Sequence, residues 1–106
     1  MTQPTAGEKT LEDWRQEIDA LDTELVRLLN QRAAIACEIA LVKVARGLAA
    51  YDCRREEQVL ERVKRKNDGP LDGQSIAAIF QSIIEETRRL GTERMREVNE
   101  VKQANY

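Results

Sequence analysis

The sequence predicts an all-α chain with three helices, one long and two shorter, and three observations carry that expectation. No proline or glycine occurs between Gly7 and Gly47. Apolar residues recur at alternating three- and four-residue steps, the spacing of one helical face, and no stretch alternates as a half-buried strand does. The two interruptions are short: Gly47-Leu-Ala-Ala-Tyr51 is a connection opened by a glycine, and Asn67-Asp68-Gly69-Pro70 is a strong stop.

Thr10 with Asp13 three residues later resembles a capping box and opens the first helix, which is expected to run to about Arg46. At 1.5 Å per residue that is roughly 50 Å, whereas a globule of this size has a radius of gyration of about 13 Å. Its apolar stripe is Leu11, Trp14, Ile18, Leu21, Leu25, Leu28, Arg32, Ile35, Ile39 and Val42. A stripe this long needs more cover than two short helices supply. The expected architecture is therefore an intertwined helical homodimer with the long first helices paired.

The second helix begins at Tyr51 or Asp52 and runs to about Lys66, where glycine for a left-handed cap and proline stop it. Asp72 caps the third, from about Gly73 to about Val98, with Gly91 a weak point inside it. Residues 1–9 read as a disordered lead-in, 10–95 as the functional domain, and 96–106 as a helix end, tail or linker.

The 106 residues make one small domain, and with 4% aromatic residues its core must come from Leu, Ile, Val and Ala. Seventeen basic residues against nineteen acidic ones, a net charge of −2, give no field to attract nucleic acid or a membrane surface. The polar start and the lack of an apolar run near 18 residues point to a cytoplasmic protein. Cys37 and Cys53, without any histidine, cannot complete a four-ligand Cys/His metal site. The commonest general base is missing too. The chemistry expected here uses neither a metal nor histidine.

One polar residue interrupts the apolar face of each helix. Arg32 lies in the first stripe; Glu56, with Asp52 at the helix start on the same side, lies among Val59, Leu60 and Val63; Thr87 lies among Ile76, Ile79, Phe80, Ile83, Ile84 and Leu90. Unpaired charge is costly to bury, so an inward cation, carboxylate and hydroxyl suggest a polar site within the bundle. Lys43 is three turns from Arg32, about 16 Å along nearly the same face. Arg15 is about 25 Å away and could reach the same small ligand only from a second, antiparallel chain. With Arg55 beside Glu56, the set suits a small polyanion bearing hydroxyl groups. A plainer reading stays open for each: Arg15, Lys43 and Arg55 as surface cations, Arg32 with Glu56 as a structural ion pair, Thr87 bonded to its preceding turn, and Cys37 as core packing.

Trp14-Arg15-Gln-Glu-Ile18-Asp-Ala-Leu21-Asp22, Leu28-Leu29-Asn-Gln-Arg32 and Ile39-Ala-Leu-Val-Lys43 resemble the opening helix of the all-helical (AroQ type) chorismate mutases. Asp52-Cys-Arg-Arg55-Glu56 with Leu60-Glu-Arg62, and Ile79-Phe80-Gln-Ser-Ile83-Ile84-Glu-Glu-Thr87, resemble that family's second and third helices. The resemblance covers about residues 10–95. It implies a homodimer that rearranges chorismate to prephenate in one concerted step, without nucleophile, proton transfer or cofactor. It also implies that Arg32 and Arg15 of the partner subunit hold the two carboxylates and that Lys43 donates to the ether oxygen. Glu56 and Asp52 would engage the ring hydroxyl, Arg55 would support the carboxylates, and Thr87 would line the site. The family's glutamine or glutamate, a second donor to the ether oxygen, is replaced by Gly91, and Arg88 is a candidate substitute. Two other readings stay open: an isochorismate pyruvate-lyase or aminodeoxychorismate mutase of the same fold, and a non-catalytic regulatory or dimerisation module acting with a shikimate-pathway enzyme.

Overall fold

The computed structural model describes residues 7–49 and 51–104. It forms three helices, α1 Leu11–Ala45, α2 Cys53–Lys66 and α3 Gly73–Ala104, with no strand among the described residues. Of the expected lead-in only Gly7 to Lys9 are described; residues 1–6, Ala50, Asn105 and Tyr106 lie outside the described residues. The third helix overruns its expected end at Val98 because nothing stops it. After Gly91 there is neither glycine nor proline, and the residues are largely good helix formers. No helix among the described residues is long and apolar enough to cross a membrane.

The ends of the helices follow from local chemistry. At the start of α1 the box closes in both directions: the Asp13 N–H donates to the Thr10 hydroxyl at 3.1 Å, and the Thr10 N–H donates to the Asp13 carboxylate at 2.9 Å. At its other end Gly47 adopts φ +67°, the Leu48 N–H reaches the Lys43 carbonyl at 2.8 Å, and the Gly47 N–H reaches the Val44 carbonyl at 3.1 Å. This paired closure requires a left-handed residue, which glycine supplies without strain. Lys43 is thereby fixed in the last turn of α1.

Asp52 caps α2 and Asp72 caps α3, each carboxylate accepting the N–H three residues on, Arg55 at 3.0 Å and Ser75 at 2.7 Å. The stop after α2 differs from expectation in one detail. Its cap is Asn67 in an extended conformation, and the left-handed Gly69, φ +79°, comes two residues later. The Asn67 side chain organises this turn by accepting the Gly69 N–H at 3.1 Å and donating to the Leu71 carbonyl at 2.6 Å.

Two compact units divide the chain, one ending at Arg32 and the other beginning at Ala33. In the first, the apolar stripe of α1 is exposed, with Leu11 at 65% and Leu21 at 63%. In the second, α2 packs against α3. Glu56, Val59, Leu60 and Val63 are half-buried, as are Ile76, Phe80, Ile83, Thr87 and Leu90, and Ile84 is buried. Ile79, expected on the inner face, turns outward. Within this unit the covered side of α1 is Ala33, Ala36, Cys37, Ala40, Leu41 and Val44, while the stripe residues Ile35, Ile39 and Val42 are exposed. The small side chains give close packing: a Cβ at Gly91 of α3 would lie 3.5 Å from the Cβ of Ala40.

Candidate active site

The second unit contains Lys43, Asp52, Arg55, Glu56 and Thr87; Arg15 and Arg32 belong to the first. Lys43 and Arg32 are half-buried, Arg15 and Arg55 exposed. Asp52 is also exposed, and its position is set by its cap role: one carboxylate oxygen takes the Arg55 N–H, and its carbonyl takes the Glu56 N–H at 3.1 Å. The cap therefore orders the first turn of α2, from which Arg55 and Glu56 project. Glu56 there also lies at the positive end of the helix dipole, where a carboxylate is favoured.

Glu56 finds its partner on α3. The Arg88 guanidinium donates to its Oε1, and the guanidinium carbon lies 4.4 Å from the centre of the Tyr51 ring. One cation thus contacts a carboxylate of α2 and an aromatic face from the segment preceding α2. The Tyr51 phenol is raised above its usual range, first by its hydrogen bond with Cys53, then by charge at Cys53 and Glu56, with Arg88 opposing. It stays protonated at neutral pH.

The Thr87 hydroxyl donates to the Ile83 carbonyl at 2.7 Å, one turn back along α3, which is the plainer role expected of a core threonine. Its two lone pairs still accept. Gly91 is buried within α3 and has no positive φ, so a left-handed turn does not account for it. Cys37 is a half-buried free thiol and Cys53 an exposed one. Among the described residues, no three His, Cys, Asp or Glu side chains gather as metal ligands. The residue that sequence reasoning placed only in outline is Tyr51, read as part of a connection. Its signal was its position next to the Asp52 cap.

The family model for chorismate mutase type II matches residues 14–92, a segment holding every residue of the candidate site. The bifunctional chorismate mutase/prephenate dehydratase of Neisseria gonorrhoeae is 42% identical over 72 residues, 68% of this chain and 19% of the relative. That of Pseudomonas aeruginosa is 36% identical over 84 residues, 74% of this chain and 23% of the relative. The chain thus spans about a fifth of the length of these bifunctional relatives. The chorismate mutase of Methanocaldococcus jannaschii is 27% identical over 81 residues, 76% of this chain and 82% of that one. The solved chorismate mutase (form II) of Thermus thermophilus superposes with a TM-score of 0.77 at 30% identity, covering 79% of this chain and 96% of that one. A family match over residues 14–92, relatives of this identity and a solved chorismate mutase of the same fold agree: the chain belongs to the chorismate mutase type II family.

Proposed function

We propose that this chain rearranges chorismate to prephenate, with residues 10–95 as the mutase domain. The observation that carries the reading is the family match over residues 14–92, which spans Arg15, Arg32, Lys43, Asp52, Arg55, Glu56 and Thr87. The reaction breaks a C–O bond and makes a C–C bond within one molecule, so the protein must select the compact conformer and stabilise charge growing on the ether oxygen. Selection belongs to Arg32 and to Arg15 of the partner subunit, whose forked guanidinium groups match the two carboxylates. Arg55 supports these contacts. Glu56, through the oxygen Arg88 does not take, and Asp52 meet the ring hydroxyl, while Thr87 lines the site. Lys43 meets the ether oxygen, and its contact strengthens as the bond breaks.

The shared site requires a homodimer with the first helices paired. The exposed stripe from Leu11 to Val42 supports it, because a second copy offers the same apolar face in return. As their names say, the bifunctional relatives join a chorismate mutase to a prephenate dehydratase. A shikimate-pathway enzyme is accordingly the proposed neighbour of this chain in a cytoplasmic setting. The test is an absorbance assay of the purified protein with chorismate, followed by product identification. Prephenate supports the mutase. Salicylate and pyruvate from isochorismate support a lyase of the same fold, and no turnover supports a regulatory module.

A further inference from the structure

We infer that Arg88, backed by the Tyr51 ring, is a positioning residue that holds the Glu56 carboxylate ready for the substrate hydroxyl; this rests on the mutase reading above. Among the described residues the Arg88–Glu56 pair is the ion pair that links two helices. The other pairs are local: Arg27 with Glu24, Lys64 with Glu61, and Arg89 with Glu86 and Glu93 each lie three or four residues apart on one helix, and Lys9 reaches Glu17 at the start of α1. Arg94 with Glu97 is of the same local kind. Exposure separates them further. The Glu56 side chain is 17% exposed and that of Arg88 38%, against 69% for both Arg89 and Glu86. Solvent screens the inter-helical pair less, so its geometry is held more firmly.

A glutamate needs such holding. Its terminal torsion is broad, and a free carboxylate would have to be ordered each time substrate binds. Arg88 removes that freedom by occupying Oε1, which leaves Oε2 to accept a hydroxyl. The guanidinium is in turn fixed by the Tyr51 face 4.4 Å away. Only a planar cation can lie against a ring and donate through its edge at once, so arginine suits this place and lysine fills it in part. Gly91, three residues farther along α3, adds no side chain beside it. The Asp52 cap fixes the backbone of Glu56 and the clamp fixes its tip, so both ends of the side chain are set before substrate arrives.

A double-mutant cycle on the full chain tests this, with kcat and KM for chorismate measured for Arg88→Met, Glu56→Gln and the pair. Thermal melting of each variant runs alongside. Arg88→Met is expected to lower kcat/KM roughly tenfold to a hundredfold, the usual cost of a misplaced catalytic contact. Arg88→Lys recovers part of that loss, and Tyr51→Ala reproduces part of it. In the Glu56→Gln background, Arg88→Met costs little more, because a positioning residue acts through what it positions. An equal loss in both backgrounds overturns the inference, as do wild-type kinetics in Arg88→Met. A purely structural role would lower the melting temperature and leave the kinetics of the folded enzyme unchanged. If Arg88→Met does not fold, Arg88→Lys and Tyr51→Ala carry the same cycle. A wild-type chain with no turnover of chorismate refutes the mutase reading and the clamp together, whereas an active wild type with additive losses refutes the clamp alone.

Discussion

A methyl group on Gly91 would lie 3.5 Å from the Cβ of Ala40, an ordinary contact, so a Cβ fits at the position proposed to lack a second donor to the ether oxygen. The backbone there is helical with no positive φ. Gly91→Gln should therefore stabilise the chain by up to about 1 kcal/mol, the usual cost of glycine in a helix interior. It should also raise kcat, since one transition-state hydrogen bond in a dry site is worth roughly 2–4 kcal/mol. Thermal melting and steady-state kinetics check both parts. A variant that loses stability and activity together would sink the missing-donor idea.

The acid limb of the stability profile should contain a share from Asp72. Its carboxyl is held below the ordinary aspartate value near 3.8, first by the Ser75 backbone N–H and then by the Ser75 hydroxyl. A depressed native value contributes stability in full above 3.8 and loses it as pH falls through the lower native value. Asn caps a helix about as well as Asp but does not titrate. Asp72→Asn should thus melt like wild type near neutral pH and lose less stability in acid. The slope will shrink and not vanish, because Asp13, Glu24 and Glu61 are depressed as well. Identical acid limbs in the two proteins would show that the Asp72 cap contributes nothing there.

The three helices and most of their ends were legible in the sequence because they rest on local chemistry: the Thr10/Asp13 box, the Asp52 and Asp72 caps, and the glycine and proline punctuation. The inner faces of α2 and α3 followed from periodicity, apart from Ile79. What periodicity could not separate was the two sides of α1. Its large apolar stripe is the most conspicuous pattern in the chain, yet the side covered within the second unit is the quieter one of Ala33, Ala36, Cys37 and Ala40. Size decides this, since small residues let a neighbouring helix approach closely. In the site, Glu56 was legible as an inward carboxylate, but its partner Arg88 lies 32 residues away on another helix. No local spacing encodes that pairing.

Arg32 and Lys43 should fail differently when truncated, although both are half-buried cations of α1. A carboxylate contact is made in the ground state and the transition state alike, while an ether-oxygen contact grows only as the bond breaks. Arg32→Ala should raise KM strongly and lower kcat as well. Lys43→Ala should chiefly lower kcat, by two orders of magnitude or so for a donor aimed at developing charge. Wild-type kcat/KM in either variant would remove that residue from the site.

The exposure of Leu11, Leu21 and Val42, at 65%, 63% and 49%, makes the paired architecture testable without substrate. Sedimentation at micromolar concentration should give roughly twice the chain mass, and a well-folded monomer there would refute the pairing. Function gives a sharper version. If each site takes Arg32 from one subunit and Arg15 from the other, Arg15→Ala and Arg32→Ala homodimers are both impaired. A heterodimer of the two places both defects in one site and leaves the other intact. Unfolding the two variants together and refolding them should then restore about a quarter of wild-type activity, because half the dimers are mixed and each keeps one of two sites. No recovery on mixing, in a preparation whose mass confirms dimers, would mean that Arg15 and Arg32 serve the same subunit's site or none.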